Sequence, residues 1–212
     1  MKALVDNDIL LKGAQYGLLF SFAAAIPGNN GSVGVLGAAR YVVQDRLSRR
    51  SSEDSAVQEF LKFLDENIEL EPTPEEENIA SAIESCAQRA DVDLDAGESQ
   101  LCAVLISRVV PLFVTGDKRA ICAIELLIDA YEFLVAAAGR ILCLEQLVCI
   151  LLEIAQVDAV RKAICGKPDT DKALSICFCC ASLATTSKET IQAGITSYVA
   201  DLRTKAPRVL FP

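Results

Sequence analysis

The sequence contains no histidine, and this absence excludes several kinds of functional site. Ser-His-Asp triads, acid–base catalysis by imidazole and zinc sites with histidine ligands all need that side chain. Long uncharged apolar runs are lacking too, because the run at residues 141–154 is interrupted by Glu145 and Glu153. A membrane-spanning helix needs about 20 apolar residues, so no membrane partner is expected.

Positive charge is in deficit, since 20 Lys and Arg oppose 29 Asp and Glu, for a net charge of −9. This balance argues against a broadly basic surface for nucleic acid, but it leaves room for a local basic patch beside an acidic site. The nine cysteines are odd in number, and the N-terminus has no secretory-signal pattern. We therefore expect a reducing, cytoplasmic location.

Cysteine is concentrated near residue 180, where Cys177, Cys179 and Cys180 follow Cys165. Zinc coordination is one interpretation of this cluster. The spacing does not fit paired C-x-x-C motifs, and a helix would spread the thiols around its axis. Buried structural cysteines are the interpretation that the pattern favours.

Short apolar segments alternate with longer segments of helical periodicity, in a chain of 212 residues that is 52% hydrophobic. The predicted strands are residues 2–5, 67–71, 112–115 and 140–144. The predicted helices between them are residues 9–25, 33–47, 56–65, 74–89, 97–109 and 118–130. Strands that alternate with helices indicate an α/β fold with a central parallel sheet and right-handed crossovers.

The sequence becomes purely helical in character after Glu145. Helices are predicted at residues 146–164, 171–183 and 187–205, followed by a surface tail at residues 206–212. We therefore divide the chain into an α/β domain, residues 1–145, and an all-helical extension, residues 146–212. Because this extension is rich in apolar residues, it should pack on the sheet or form an oligomer surface, including a homodimer.

Three acidic residues, Asp6, Glu98 and Asp117, are predicted to meet at one edge of the sheet. Asp6 and Asp117 follow predicted strands, and ligands of open parallel sheets bind at the carboxyl ends of the strands. Carboxylates that are packed together repel one another unless a cation neutralises them. Oxygen ligands favour Mg²⁺ or Mn²⁺. Such an ion activates water for phosphodiester hydrolysis without any histidine.

Each acid also has a simpler interpretation. Asp6 and Asp8 can cap the first helix, Asp117 can cap the helix that follows it, and Glu98 can stabilise a helix dipole from the first turn. All of these simpler roles would have to hold together for the predicted site to disappear.

The segments ALVDND, LDAGESQL and LFVTGDKRA resemble the PIN domain, a family of metal-dependent nucleases, and the resemblance covers roughly residues 1–145. It implies a three-layer fold with a short parallel sheet of about four to five strands. It also implies that Asp6, Glu98 and Asp117 hold Mg²⁺ or Mn²⁺, with Thr115 orienting Asp117 or a metal-bound water. The family's further helix glutamate is missing near residues 43–45, where Asp45 is the available substitute. Asp8 and Asp45 are therefore auxiliary candidates.

The resemblance implies an endonuclease that acts on RNA, with Asp6, Glu98 and Asp117 as the catalytic residues. Several basic side chains are candidates for contacts with the phosphates of RNA. These are Arg40, Arg46, Arg49, Arg50, Lys118 and Arg119. The alternative is a weakly active or inactive PIN-like scaffold that binds a protein partner through its C-terminal helices. A role as a small nuclease toxin also stays open.

Overall fold

The computed structural model describes residues 1–29, 31–50, 54–182 and 186–212, which form one sheet of five parallel strands. In chain order these are β1 (Ala3–Val5), β2 (Gly34–Leu36), β3 (Ile68–Leu70), β4 (Leu112–Thr115) and β5 (Ile141–Cys143). The order across the sheet is β3-β2-β1-β4-β5. The direction of winding therefore reverses between β1 and β4. The predicted α/β class, with a parallel sheet flanked by helices, is confirmed.

Helices connect the strands and follow the last of them. Those before β4 are α1 (Asn7–Tyr16), α2 (Leu19–Ala25), α3 (Ala39–Arg50), α4 (Asp54–Asp65), α5 (Pro74–Ala90) and α6 (Ala96–Ser107). Those after it are α7 (Lys118–Leu127), a 3-10 helix (Glu132–Ala137), α8 (Leu144–Ile154), α9 (Val157–Gly166), α10 (Lys172–Cys177) and α11 (Lys188–Lys205). The helices lie on both faces of the sheet and bury β1, β2, β4 and β5, whereas Ile68 and Glu69 of the edge strand β3 stay exposed.

Side-chain alternation in the central strands divides the core into two clusters. In β1, Ala3 and Val5 pack with α1 to α4 and with the helices after β5, whereas Leu4 points to the opposite face. Phe113 of β4 joins Leu4 on that second face, together with residues of α5, α6 and α7. Successive side chains of a strand point to opposite faces, so even a three-residue strand contributes to both clusters.

Strand β2 was not predicted, because residues 33–47 were expected to form a single helix. Residues Gly34–Leu36 are instead extended and fully buried between β1 and β3, and the helix begins at Ala39. A buried strand of three residues presents no alternation of polar and apolar side chains. Its apolar residues were therefore assigned to the helix that follows.

Two long predicted helices are interrupted. The helix predicted at residues 9–25 divides at Gly17, which adopts φ 67° and caps α1 through its amide. That left-handed conformation is accessible to glycine at little cost. The helix predicted at residues 146–164 divides between α8 and α9, where Ala155 and Gln156 are extended.

The C-terminal segment is not the surface tail that was predicted. Val209 and Leu210 are buried, and Leu210 forms a parallel bridge with Ile141 of β5. The amide of Ile141 donates to the carbonyl of Val209 at 3.0 Å, and the amide of Phe211 donates to the carbonyl of Ile141 at 2.7 Å. The segment therefore covers the exposed edge of β5, since an uncovered strand would present unpaired backbone groups.

Many apolar side chains of the C-terminal region are buried within the same molecule, although Ile154 and Ile176 are 61% and 64% exposed. Leu147, Val148, Leu151 and Leu152 of α8 pack in the cluster that contains α2, and α11 contacts both α8 and α7. Among the described helices, none combines the length and the apolar character that a membrane crossing would require.

Candidate metal centre

Asp6 and Asp117 come after the two strands between which the winding of the sheet reverses. Asp6 directly follows β1, and Asp117 lies two residues beyond β4. These strands are parallel neighbours in the register Val5↔Val114, and the amide of Asp6 donates to the carbonyl of Val114 at 3.0 Å. In open α/β sheets this reversal opens a crevice at the carboxyl edge, where ligands bind.

Thr115 joins the two acids across the strands. Its buried hydroxyl donates to Oδ2 of Asp6 at 3.1 Å and accepts the amide of Asp117 at 3.1 Å. The second contact matches the expectation that Thr115 orients Asp117, although it acts on the backbone. One hydroxyl therefore sets the positions of both carboxylates.

The Asp6 carboxylate also caps α1, because its Oδ1 accepts the amide of Asn7 at 2.6 Å. Burial raises the pKa of Asp6 to about 6, and repulsion from Asp8 adds to the rise. The hydrogen bonds from Thr115 and Asn7 lower it but do not cancel the effect of burial. The ionised carboxylate is consequently costly at this position, as expected of a buried acid that lacks a paired cation.

Glu98 lies on α6 and is 6% exposed. It forms a capping box with Asp95: its Oε2 accepts the amide of Asp95 at 3.0 Å, and Oδ1 of Asp95 accepts the amide of Glu98 at 2.8 Å. Burial raises the pKa of Glu98 to about 8, and repulsion from Asp95, Asp6 and Asp117 contributes. Glu98 therefore lies near enough to Asp6 and Asp117 to be repelled by both.

Asp117 differs from the other two acids because cationic and amide donors surround it. Burial raises the pKa of Asp117. Hydrogen bonds from the Arg119 side chain and from the amides of Arg119 and Ala120 lower it, and together they outweigh burial, so the net shift of the pKa is downward. Its Oδ1 accepts the amide of Arg119 at 2.8 Å, and its Oδ2 accepts the Arg119 guanidinium at 3.0 Å. Asp117 is therefore an ionised helix cap paired with an arginine.

The chemistry of these donors suits Mg²⁺ or Mn²⁺, which prefer carboxylate oxygens. Oε2 of Glu98 is used by its capping box, which leaves Oε1 without a hydrogen bond from the described part of the chain. Within residues 1–29, 31–50, 54–182 and 186–212, no three acidic or cysteine side chains stand close enough to hold a metal ion. Binding would therefore require side chains such as Asp117 to rotate away from their present partners.

The two auxiliary candidates have different surroundings. Asp8 lies close enough to Asp6 to raise its pKa, and Oδ2 of Asp8 is 2.7 Å from Nζ of Lys12. Asp45, by contrast, is 53% exposed and forms an ion pair with Arg49 at 3.0 Å. Asp45 is therefore engaged on the surface of α3, while Asp8 is a neighbour of Asp6.

The basic residues of α3 spread along the helix. Arg40, near its start, pairs with Glu69 through two hydrogen bonds of 3.2 and 2.6 Å. Arg46 and Arg49 are exposed further along, and Arg49 lies about 14 Å from Arg40 along the axis at the helical rise per residue. The side chain of Arg50 lies outside the described residues. Because α3 begins at the carboxyl edge and runs away from it, Arg40 is the member nearest the acids.

The two basic residues at the start of α7 lie beside the acids. Lys118 forms an ion pair with the buried Glu145, and its ammonium group stands 5.0 Å from the centre of the Tyr198 ring. Arg119 pairs with Asp117 and, through Nη1, with Asp93 at 2.7 Å. These ion pairs neutralise part of the negative charge at the carboxyl edge.

Sequence analysis did not single out Lys12, Asp171 and Glu145. Lys12 is 14% exposed and lies 2.7 Å from Asp8 and 2.8 Å from Asp171, a residue 159 positions away. Glu145 is 2% exposed and follows β5 at the same edge of the sheet. The signal for Glu145 was available, since it follows a predicted strand as Asp6 does. Asp171 had no local signal.

The cysteine prediction needs a correction. Cys165 of α9 and Cys180, beyond α10, form a disulfide that joins the two segments, and both are only partly buried. Cys177 is a buried thiol, as expected, and Cys179 is a partly buried one. Two cysteines 15 residues apart were drawn together by the turn between α9 and α10, which the sequence pattern did not indicate.

Comparisons with models of protein families, with curated proteins and with solved structures yield no match. The functional assignment below consequently depends on the geometry of the carboxyl edge and on the short PIN-like motifs.

Proposed function

We propose that this chain is a PIN-like endonuclease that hydrolyses RNA with the help of Mg²⁺ or Mn²⁺ held by Asp6, Glu98 and Asp117. The observation that supports the proposal is that Glu98 experiences repulsion from both Asp6 and Asp117, and that these two acids follow the strands between which the winding of the sheet reverses. Two of them, Asp6 and Glu98, are buried without an ion-pair partner among the described residues. Burial is the main cause of their raised pKa values, with a smaller contribution from repulsion between acids, and a divalent cation would stabilise the ionised carboxylates against both.

In this proposal the residues of the chain position the substrate and the water. Thr115 holds the carboxylate of Asp6 in place and accepts the backbone amide of Asp117, so it ties the two residues together across β1 and β4. Lys118 and Arg119 supply positive charge for the phosphate groups beside the acids. The bound ion would lower the pKa of a water molecule and stabilise the charge that develops on the phosphate.

A second candidate function is a PIN-like scaffold without catalysis, and a specific observation favours it. Asp45, the substitute for the missing helix glutamate, is paired with Arg49 on the surface of α3. A site that lacks this fourth acid would bind metal weakly. Such a scaffold would act through a protein partner on the C-terminal helices, and the cytoplasm is the proposed location for either function.

The decisive experiment combines metal binding with cleavage. Mn²⁺ is titrated calorimetrically into the wild type, into an Asp6→Asn, Asp117→Asn double variant and into a charge-matched control, Asp65→Asn with Asp158→Asn. The control acids are exposed and lie away from the site. We expect binding by the wild type and the control, and loss of binding in the double variant. Equal binding by all three proteins would contradict the proposed ligands.

Cleavage of a labelled single-stranded RNA is then followed with Mn²⁺ and with EDTA. The nuclease proposal expects cleavage that EDTA abolishes and that the double variant lacks. Metal binding without cleavage would favour the scaffold, and cleavage that resists EDTA would point to a contaminating nuclease.

A further inference from the structure

Arg119 occupies the oxygen of Asp117 that would face a metal ion. Oδ1 of Asp117 caps α7 by accepting the amides of Arg119 at 2.8 Å and Ala120 at 3.4 Å. Oδ2 accepts Nη2 of Arg119 at 3.0 Å, and no other hydrogen bond reaches it from the described residues. The capping oxygen also lies 3.4 Å from Nε of Arg119, and the other oxygen is held by Nη2 of the same guanidinium group.

The guanidinium group is free to leave. The Arg119 side chain is 73% exposed, whereas that of Asp117 is 28% exposed. A second carboxylate, Asp93, lies 2.7 Å from Nη1 of Arg119 and is 68% exposed. An exposed ion pair contributes little free energy, so a divalent cation can compete with it for Oδ2.

We infer that Arg119 is an internal counter-ion that Mg²⁺ or Mn²⁺ must displace from Asp117, and that the displaced guanidinium then binds a phosphate group of the RNA. This inference rests on the proposed function and adds to it a residue that couples the two binding events. All three acids already accept hydrogen bonds within the protein, and among the described residues Asp117 is the one of the three that is paired with a cation.

The surroundings of Arg119 suit a phosphate group. Arg119 lines a cleft of about 370 Å³ between α7 and α11, together with Lys118 and Lys205. Asp93 and Asp201 line the same cleft, so its three cationic side chains outnumber its two acids by one, and Lys118 and Arg119 directly follow Asp117 in the chain. Arginine pairs with phosphate through two parallel hydrogen bonds, which is the geometry that it now uses with Asp117.

The first test measures Mn²⁺ affinity by calorimetry for the wild type, Arg119→Ala and Arg49→Ala. Arg49 is the matched control, because it is also exposed and pairs with an aspartate, Asp45, on another part of the surface. We expect Arg119→Ala to bind Mn²⁺ about two- to five-fold more tightly, the range that corresponds to the loss of an exposed ion pair. Arg49→Ala should bind as the wild type does.

Each other outcome is informative. If the wild type binds Mn²⁺ and Arg119→Ala binds no more tightly, the counter-ion role is overturned while the metal site stands. If both arginine variants gain equally, net charge is the cause and the inference fails. If the wild type does not bind Mn²⁺, the proposed function itself fails. Arg119→Lys, which keeps the charge without the forked geometry, should fall between the wild type and Arg119→Ala.

The second test measures binding of a labelled single-stranded RNA by fluorescence anisotropy, with Ca²⁺ in place of Mn²⁺ to limit cleavage. Arg119→Ala should bind RNA about two- to five-fold more weakly than the wild type, and Lys62→Ala, which removes an exposed cation of α4 that is not a candidate for RNA contact, should differ less. Unchanged RNA affinity in Arg119→Ala would overturn the phosphate role. Arg119→Ala is expected to bind Mn²⁺ more tightly and RNA more weakly. A variant that had lost its fold would bind both more weakly, so the two measurements together separate the proposed role from misfolding.

Discussion

The hydroxyl group of Thr115 lies 3.1 Å from Oδ2 of Asp6, although the two residues are 109 positions apart in the chain. The contact joins the end of β4 to the residue that follows β1, and both partners are buried. A donor so placed lowers the pKa of Asp6 against the larger effect of burial. The carboxyl edge therefore depends on a hydroxyl that holds an acid in place.

Replacement of Thr115 by valine keeps the shape of the side chain and removes this donor. We expect a loss of about 1.5–3 kcal/mol in the free energy of unfolding, as for a buried hydrogen bond to a charged group. The pKa of Asp6 should rise above its wild-type value of about 6. Urea unfolding and NMR titration of Asp6 measure the two effects. Thr115→Ser, which keeps the hydroxyl, should lie closer to the wild type in both.

Replacement of Glu98 by glutamine should change how stability depends on pH in the presence of EDTA. Because burial raises the pKa of Glu98 from 4.5 to about 8, the wild type loses stability as the pH rises through that interval. The neutral glutamine avoids this loss, so the variant should be the more stable protein at pH 8.5 and nearly equal to the wild type at low pH. Thermal melts across the range measure the difference. A wild type that gains stability towards pH 8.5 relative to the variant would contradict the assignment.

Arg108 of the loop after α6 is expected to stabilise the protein through Glu76 of α5. Its Nε and Nη2 donate to the two oxygens of Glu76, each at 2.7 Å, and Glu76 is 3% exposed. Arg108→Met should cost about 1.5–3 kcal/mol near neutral pH, because charged hydrogen bonds are lost while the aliphatic stem is kept. Urea unfolding measures the loss.

The ion pair between Arg108 and Glu76 also predicts how the stability of the protein depends on pH. The hydrogen bonds from Arg108 lower the pKa of Glu76 from 4.5 to about 2. The stability that this carboxylate contributes is therefore present above pH 4.5 and is lost as the pH falls towards 2. The difference in the free energy of unfolding between the wild type and Arg108→Met should therefore become smaller as the pH falls from 4.5 towards 2. A difference that stays constant over this range would show that packing, rather than the ion pair, causes the loss of stability.

The C-terminal segment should contribute to the stability of the whole fold. Leu210 is 2% exposed beside β5, whereas Leu126 on α7 is 64% exposed. Leu210→Ala should cost about 2–5 kcal/mol, as for a large-to-small substitution in a core. Leu126→Ala is the matched control and should stay within about 0.5 kcal/mol of the wild type. Equal losses in urea unfolding would contradict the buried position of Leu210.

The bridge between Cys165 and Cys180 should be detectable and should stabilise the oxidised protein. It closes a loop of 15 residues, and a loop of that length corresponds to about 3 kcal/mol in the chain-entropy treatment. We expect peptide mapping without reductant to recover the linked pair, and dithiothreitol to lower the melting temperature. Cys180→Ser should melt as the reduced wild type does and should not respond to dithiothreitol.

Elements that are marked by interactions between near neighbours in the sequence were predicted, and elements that depend on distant segments were not. Strands β1, β3, β4 and β5 and most helix starts were predicted, because local signals mark them; Thr73, for example, caps α5 in a capping box with Glu76, and Pro74 begins the helix. Strand β2 and the pairing of Leu210 with Ile141 were missed. Both are short segments that become regular only when distant strands pair with them.

The sequence by itself determined which side chains are available: three acids in strand-and-helix positions, no histidine, and arginines close to Asp117. The tertiary structure decided how those side chains meet. It joined Thr115 to Asp6, placed Asp171 against Lys12, and directed Arg119 onto Asp117. The physical reason is that periodicity and capping are interactions between near neighbours, whereas the electrostatics of a buried carboxylate depend on every charge and donor that folding brings within a few ångströms.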